Sequence, residues 1–489
     1  MSEYVGSNIL SIITESLYDD PIVVFREYVQ NAIDSICSMD DSNDSKIIIE
    51  SIKDSDLLFV DNGRGIEKDR FKNKMLHIAN SDKSRFRNLG YKGIGRLSGV
   101  PYCKKLYFVN ILDRKDCKYQ IFWIDGEKYI QNKDSEIYKS MSFEELMNEI
   151  GNFENEDAAI TEIVNKYFDK LEGNTGFAVY MVEMSQVLSK KTMSPAFEQE
   201  LSWLLPVPFL DEVVCDEKYG PIISQAIFDE GNHERIHSYT ILWNETKLNR
   251  PIRISDLRKH LFITDMGYAV CLHSFNSNRI AIDNSNPFSG VRVYIDNMLL
   301  CDEREIVQNL DHFGCLKKSS NGMIQTLRGI GALIYITDKE SISANARRTF
   351  FEVTDNDSID FLEKIGIFAD TVYETRYALS NYASALNNSN AGIEVNVKEK
   401  KEEALACLNR LAKQEIELSE EILPEEEFAL MSVADKRREI KKSISRKTSA
   451  DLKQYIKELS RYEYLDAYKE FIEWCVKRNN VSLEEYENE

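Results

Sequence analysis

The hydrophobic positions at the start of the chain predict two helices. Residues 7–17 place apolar side chains at helical spacing after a serine, which suits a helix N-cap. Pro21 then interrupts the pattern, because proline disfavours helix in the preceding residue and is accepted at a new helix start. A second helix is predicted over 22–39. Its apolar stripe consists of Phe25, Tyr28, Val29, Ala32, Ile33 and Ile36.

Strand-like patterns follow the helices. Apolar runs at 46–52 and 57–60 are separated by a polar turn and predict a β-hairpin. A polar helical pattern occupies 67–88, and residues 132–172 are charged, mostly helical in pattern and interpreted as an insertion. Further strands are predicted at 105–112, 118–124 and 173–184. Helices followed by strands, with glycine-rich loops between them, predict a layered α/β sandwich.

Three domains are expected, because a chain of 489 residues is too long for one ordinary core. The N-terminal α/β sandwich is predicted to span 1–205. A second α/β domain is predicted over 206–357, with a hairpin that turns at Asp296–Asn297. Over 358–489 glycine is scarce and the pattern is helical, which predicts an all-α interaction or dimerisation region. The predicted fold class is therefore α+β.

Composition narrows the class of protein. Apolar residues make up 43% and charged residues 29%, as in soluble globular proteins. No apolar run reaches the roughly 18 residues of a membrane span, and the N-terminus lacks the pattern of a secretory signal, so no membrane association is expected. Nine dispersed cysteines favour reduced thiols and a cytoplasmic location, and six histidines show no metal-ligand spacing.

Net charge bears on nucleic-acid binding. The value of −21 disfavours sequence-independent contact with a phosphate backbone by the whole surface. A basic cluster at 436–447 is the local exception. It is interpreted either as a solvated helix face that balances nearby glutamates or as a nucleic-acid contact.

The polar face of the second predicted helix has two interpretations. Glu27, Asn31 and Asp34 are spaced four and three residues apart, so they share one face. For an isolated helix, a solvated surface is the simpler interpretation. A ligand-binding face is the alternative, and the segments that follow in the chain bear on the choice.

Two glycine-containing segments supply further candidate chemistry. Asp61 ends a predicted strand and is followed by Gly63 and Gly65, which let a backbone approach a ligand closely. An ordinary turn is the alternative for this segment. The second segment carries Gly90, Gly93, Gly95 and Gly99 at an apparent helix start. Such a loop can direct backbone N–H groups at phosphate oxygens, although a flexible loop is the simpler explanation of glycines alone.

The motifs together resemble a known superfamily. E-x-x-x-N-A-x-D on a helix, D-x-G-x-G after a strand, a glycine-rich loop and a later strand with Thr175 occur in the order found in GHKL ATPases, which include gyrase, heat-shock protein 90, histidine kinases and MutL. The similarity is closest to heat-shock protein 90 over 9–36, covers 7–185 well and 235–355 loosely. It implies a Bergerat-type ATP-binding domain followed by a transducer-like middle domain.

Two features depart from heat-shock protein 90. The interval between Asp61 and the glycine-rich loop is short, as in MORC or MutL proteins, which implies a compact ATP lid. Arg96 stands where the chaperones carry an aromatic residue. ATP binding is still expected with both features, but a chaperone-type lid movement does not follow from the resemblance.

The resemblance implies a role for each polar residue of the helix and for the aspartate. Glu27 would be the general base that activates water, and Asn31 would coordinate Mg²⁺ through its amide oxygen. Asp34 would lie at the sugar or support the metal shell. Asp61 would accept a hydrogen bond from the adenine amino group.

The remaining implied roles belong to loops and to a strand. Gly63 and Gly65 would let the loop pass close to adenine, and Thr175 would support the adenine side through its hydroxyl. Phosphate contacts are implied for Gly90, Lys92, Gly93 and Gly95. Arg347 and Arg348 follow an asparagine as in a chaperone loop, so one of them would stabilise phosphoryl charge, with a surface arginine pair as the alternative.

The expected function is that of an Mg-dependent ATPase. ATP binding would drive a conformational clamp that acts on a protein client or partner and dimerises with a second copy of the chain. One alternative is a nucleotide-gated scaffold with negligible hydrolysis. Another is a MORC- or MutL-like ATPase that acts on DNA; some bacterial GHKL proteins belong to anti-phage defence systems, although nothing in this sequence shows that role.

Overall fold

The computed structural model describes most of the chain in two compact units. The described residues are 10, 20–39, 45–77, 95–154, 157–227, 239–257, 260–275, 280, 282, 285–316, 320–345, 349–390 and 395–412. The first unit comprises Met1–Pro208, Glu230–Arg250 and Asp296–Met298. The second comprises Phe209–Asp229, Pro251–Ile295 and Leu299–Glu489. The domain limits predicted at 205 and 357 stay predictions.

An eight-stranded sheet organises the first unit. Its strands are β1 Ser45–Ile52, β2 Asp56–Asp61, β3 Cys103–Asp113, β4 Lys118–Asp125, β5 Gly151–Glu154, β6 Gly176–Met184, β7 Tyr239–Trp243 and β8 Thr246–Lys247. They are ordered β5-β4-β3-β6-β2-β1-β7-β8. Only the β1–β7 pair is parallel among the paired strands described; the others run antiparallel.

Eight helices and a 3₁₀ helix are described in the first unit. They are α1 Val23–Ile36, α2 Lys68–Leu76, the 3₁₀ helix Gly95–Tyr102, α3 Gly126–Asn132, α4 Glu136–Ser140, α5 Phe143–Ile150, α6 Ala158–Phe168, α7 Gln186–Thr192 and α8 Phe197–Leu204. Side-chain oxygens of Asp125, Ser135, Ser142, Asp157 and Ser185 accept from backbone amides in the first turn of the helices that follow them. These caps satisfy amides that a helix start leaves without a partner.

Helix α1 packs its apolar stripe on one face of this sheet. The predicted stripe is confirmed, because every one of its members is buried. Phe25 meets Phe59 of β2 and Phe197 of α8 edge-on, with ring centroids 5.4 and 5.0 Å apart. Such aromatic contacts add to the free energy of apolar burial, so α1 is held firmly where it carries Glu27.

The opposite face of the sheet is covered in part by α6. Val164 and Phe168 of this helix are buried in a cluster with Val109 of β3 and Ile121 of β4. The segment 132–172 is mostly helical, as predicted, but it also contains β5, which pairs with β4 at the sheet edge. The sequence pattern missed this strand, because β5 has only four residues and is defined by its partner.

The second unit combines a five-stranded sheet with helices. Its strands are β9 His260–Asp265, β10 Ala269–Phe275, β11 Gly290–Ile295, β12 Met298–Asp302 and β13 Gly331–Ile336, in the order β12-β11-β13-β10-β9. Its helices are α9 Asp211–Val214, α10 Gly220–Ile227, the 3₁₀ helix Ile254–Asp256, α11 Glu303–His312, α12 Ser320–Leu327, α13 Asn356–Asn390 and α14 Val397–Ala412. Buried side chains of α13 and α14 share one apolar core with the sheet.

Several predicted elements are present in the structure. β1 and β2 form the predicted hairpin. The hairpin at Asp296–Asn297 is also present, and both turn residues have positive φ, of 51° and 58°, as type I′ turns require. The α+β class is confirmed, as is helical structure in the described residues after 356. The first predicted helix, 7–17, lies outside the described residues except for Leu10.

Two further expectations concern membranes and disulfides. No described helix is both long and apolar enough to cross a bilayer. All eight cysteines within the described ranges are free thiols.

Candidate functional site

The polar face of α1 lies against the rest of the first unit. Glu27 and Asp34 keep only 8% and 7% of their surface exposed, and Asn31 is half-buried. A solvated surface, the simpler interpretation from sequence, is therefore wrong for this face. Buried carboxylates are rare in proteins unless they are paired or functional, so this face is the first component of a candidate site.

Asp61 lies at the end of β2, close to the start of β6. The two strands are antiparallel neighbours, and Asp61 pairs with Phe177. The Asp61 carboxylate is 5% exposed, and its Oδ1 accepts a hydrogen bond from the Gly63 amide at 2.9 Å. Thr175 Oγ1 donates to the Gly63 carbonyl at 3.1 Å. The structure thus brings Asp61, Gly63 and Thr175 together, as the sequence motifs predicted.

The glycines after Asp61 allow the loop to touch α1. A Cβ on Gly63 would lie 2.4 Å from Oγ of Ser35, the residue after Asp34. Gly65 has φ of +70°, a conformation that other residues adopt rarely, and its amide donates to Ser35 Oγ at 3.1 Å. Glycine is therefore required at both positions for the loop and the polar end of α1 to approach this closely.

Asn110 is a structural partner of this loop that the sequence analysis missed. Its Oδ1 accepts from the Ile66 amide at 2.8 Å, and its Nδ2 donates to the Ile66 carbonyl at 2.7 Å. Asn110 is fully buried in β3. A single amide within the apolar run 106–111 is the signal that could have identified it, since buried polar groups need partners.

Gly95 brings the end of the glycine-rich segment against Glu27. A Cβ at Gly95 would lie 1.7 Å from Glu27 Oε2, closer than any two unbonded atoms can come. Among the described residues, we find no hydrogen bond or ion pair to the Glu27 carboxylate. Gly95 begins a 3₁₀ helix, where the sequence suggested an ordinary helix start. Gly90, Lys92 and Gly93 lie outside the described residues.

Arg96 adds a positive charge beside Gly95. Its Nη2 donates to the carbonyl of His77, the residue after α2, at 2.7 Å. Burial lowers the pKa of the Arg96 guanidinium to about 10, so it stays protonated at neutral pH. Through its bond to the His77 carbonyl, the Arg96 side chain connects the turn after Gly95 to the end of α2.

The sequence also predicts an arginine that contacts the phosphates and an Mg²⁺ site. Arg347 and Arg348 lie outside the described residues, so their relation to the first unit stays a prediction. In the part of the chain that the structure describes, no three histidine, cysteine, aspartate or glutamate side chains form a metal-binding group. A site for Mg²⁺ built on Asn31 would not need such a group, because nucleotide-bound Mg²⁺ takes most of its ligands from phosphates and water.

Comparison with known proteins agrees with this site. Residues 20–156 match the family model of histidine kinase-, DNA gyrase B-, and HSP90-like ATPases. The matched segment contains α1, the loop after Asp61 and Gly95, and ends before Thr175. No curated protein matches the chain. The match supports membership of this segment in the GHKL superfamily, whose domains generally bind and hydrolyse ATP, and therefore supports ATP binding by this chain.

Proposed function

We propose that the first unit binds ATP with Mg²⁺ and hydrolyses it, in the manner of heat-shock protein 90-like GHKL proteins. The observation that carries the proposal is that α1 links Glu27, Asp61 and Gly95: Gly95 lies against Glu27, and Gly63, two residues after Asp61, lies against Ser35 of the same helix. Each has a chemical property that suits one part of the nucleotide.

The adenine end of the site would be formed by Asp61. A buried carboxylate accepts a hydrogen bond from the exocyclic amino group of adenine and has no comparable bond to offer the O6 carbonyl of guanine. The bond from the Gly63 amide to Asp61 Oδ1 helps to hold this carboxylate in position. Thr175 and Ser35 hold the following loop in place through Gly63 and Gly65. Asp61 would therefore enter the complex already oriented.

The phosphate end would be formed by the segment that leads into Gly95. The absence of a Cβ at Gly95 leaves the space that Glu27 occupies, and Arg96 is the next residue in the chain. Asn31, one turn after Glu27, would hold Mg²⁺ together with phosphate oxygens and water. The metal would neutralise charge that develops on the phosphates. Gly90, Lys92 and Gly93 would supply the remaining phosphate contacts.

Glu27 would act as the general base. Its carboxylate is nearly buried on a rigid helix, and such a carboxylate can accept a proton from water as that water attacks the γ-phosphate. Asp34, one turn beyond Asn31, would support the sugar or the metal's water shell. Arg347 or Arg348 would then stabilise the charge of the transferred phosphoryl group.

Hydrolysis would drive a conformational cycle. We propose that ATP favours a closed state in which two copies of the chain dimerise around a protein partner, and that hydrolysis resets this state. A ligand shifts such an equilibrium only through unequal contacts with the two states. The γ-phosphate would supply the difference, because it would contact the segment that leads into Gly95 and either Arg347 or Arg348.

Substitution of Glu27 tests the enzymatic part of this proposal. Glu27→Ala should retain ATP binding in a calorimetric titration and lose about 10²- to 10⁴-fold in steady-state phosphate release, because general-base catalysis contributes a factor of that size. Glu50→Ala removes a half-buried carboxylate from β1 of the same unit and should keep the wild-type rate. Equal rates for Glu27→Ala and the wild type would refute the role of Glu27. Wild-type binding without any hydrolysis would favour the nucleotide-gated scaffold.

A further inference from the structure

Tyr28 connects the helix that carries Glu27 with the turn that begins at Gly95. Its hydroxyl donates to the carbonyl of Arg96 at 3.0 Å and accepts from the amide of Gly99 at 3.0 Å. The side chain is 3% exposed, and its ring meets Phe59 of β2 edge-on at 5.1 Å between centroids. One buried phenol therefore bonds to both ends of a four-residue stretch of the 3₁₀ helix, Arg96 to Gly99.

The two bonds require a neutral phenol. Burial raises the pKa of the Tyr28 hydroxyl above its ordinary value. The group therefore stays protonated at every physiological pH, so that it donates to one backbone group while it accepts from another. No other side chain type places a hydroxyl this far from a helix backbone on a rigid ring. Phenylalanine keeps the ring and loses both bonds.

The position of the 3₁₀ helix matters because of its contact with Glu27. Gly95 approaches the Glu27 carboxylate so closely that a Cβ would overlap Oε2 at 1.7 Å. A shift of the turn toward α1 would push Glu27 out of place, and a shift away would open a space in which the carboxylate could rotate. Tyr28 is adjacent to Glu27 on α1, so its bonds to Arg96 and Gly99 fix this separation directly.

Gly99 completes the arrangement from the opposite side. A Cβ at Gly99 would lie 2.4 Å from the Tyr28 hydroxyl, so only glycine lets the phenol reach the Gly99 amide. Arg96, whose carbonyl accepts the other bond, also holds the His77 carbonyl through its side chain. The turn after Gly95 is thus held to α1 by Tyr28 and to the end of α2 by Arg96.

We propose that Tyr28 is a positioning residue of the ATPase site, which sets the geometry of Glu27 relative to the γ-phosphate by holding the turn at Gly95–Gly99. The inference rests on the proposed function and adds to it. Tyr28 touches neither substrate nor metal in this account. Its loss should therefore reduce the rate of the chemical step and leave the adenine contacts of Asp61 unchanged.

A matched pair of substitutions tests the proposal on the full chain. Tyr28→Phe should lower kcat about 10- to 100-fold with KM for ATP changed by less than about threefold, because small misplacements of a catalytic group cost this much in rate. Tyr180→Phe is the control. Tyr180 is also buried in the first unit, and its hydroxyl donates to Asp56 at 2.5 Å on the opposite side of the sheet. It should lower Tm to a similar extent and leave kcat within about twofold.

The outcomes separate the inference from the proposed function. Each rate is divided by the concentration of folded protein. The Gly99→Ala variant, whose added Cβ displaces the Tyr28 hydroxyl, should show the same selective loss of kcat. Equal kcat values for Tyr28→Phe and Tyr180→Phe would overturn the positioning role while ATP hydrolysis itself stands. A wild-type protein that neither binds nor hydrolyses ATP would instead overturn the proposed function.

Discussion

Two buried polar side chains in the first unit form hydrogen bonds with the backbone of a loop and of a 3₁₀ helix, whereas a buried histidine in the second unit lies among aromatic rings. Asn110 and Tyr28 each bond to two backbone groups of segments that border the candidate site. His273, fully buried in β10, has ring contacts with Phe262 and Phe275 and one hydrogen bond, to Thr264 Oγ1 at 3.0 Å. Burial is shared by all three residues, so burial alone does not identify a functional group. The hydrogen-bond partner of the buried group is more informative. A polar side chain that fixes the backbone of a segment at the site indicates function more reliably than one enclosed by aromatic rings.

The largest effect that tests this comparison is expected from Gly95→Ala. The added Cβ would overlap the Glu27 carboxylate, so Glu27 or the turn must move, and ATP turnover should fall at least about 100-fold. Gly314→Ala in the second unit is the control. Gly314 has positive φ, of 72°, and a Cβ there meets open space, so the change should cost stability and leave turnover intact. Wild-type turnover in Gly95→Ala would contradict the described contact with Glu27.

A smaller effect is expected from Asn110→Ala. The change removes the Asn110 side-chain atoms that bond to the Ile66 amide and to the Ile66 carbonyl. A part-buried backbone amide is left without a hydrogen bond, which should cost about 1–3 kcal/mol of unfolding free energy. Because Gly65 and Ile66 belong to the loop that directly follows Asp61, ATP affinity should fall as well. Thermal unfolding with and without ATP measures both quantities. A loss of stability with unchanged ATP affinity would show that Asn110 supports the fold alone.

In the second unit, His273 should make the stability depend on pH without changing ATP binding in the first unit. Burial lowers the pKa of His273 to about 3, from an ordinary value of 6.5. As pH falls, His273 therefore takes up a proton in the unfolded chain at a higher pH than in the folded chain. The stability contributed by neutral His273 is complete above pH 6.5 and declines as pH falls from there toward 3. The slope approaches about 1.4 kcal/mol per pH unit.

His273→Phe isolates this contribution. The variant should lose less stability than the wild type between pH 7 and pH 5, as measured by thermal unfolding of the second unit. Its ATP affinity at pH 7 should equal that of the wild type. An identical acid response in the two proteins would show that His273 is protonated in the folded state at pH 5.

Sequence patterns predicted the parts of the molecule that local chemistry determines. The apolar stripe of α1 follows from helical spacing, and the turn at Asp296–Asn297 follows from residues that accept positive φ. The contacts of Asp61 with Gly63 and of Thr175 with the same residue agree with a motif. These features depend on short stretches of sequence and on residue types with few alternatives.

Other features depend on residues far apart in the chain. The burial of Glu27 needs Gly95, and the role of Asn110 needs the loop at Ile66, so helical or strand periodicity could not predict either one. The strand β5 is defined by its pairing with β4 rather than by its own four residues. Tyr28 was assigned to the apolar stripe correctly, but its hydroxyl contacts depend on the path of the chain at Arg96 and Gly99.

ATP binding by the first unit through Asp61 can be tested by a calorimetric titration of the Asp61→Asn variant. The amide keeps the size of the carboxylate but loses its charge, and a charge-assisted hydrogen bond of this kind contributes about 1.5–3 kcal/mol. The wild type should bind ATP in preference to GTP, and Asp61→Asn should bind ATP about 10- to 100-fold more weakly. Equal ATP affinity in the two proteins, or no preference of the wild type for ATP, would contradict this role of Asp61.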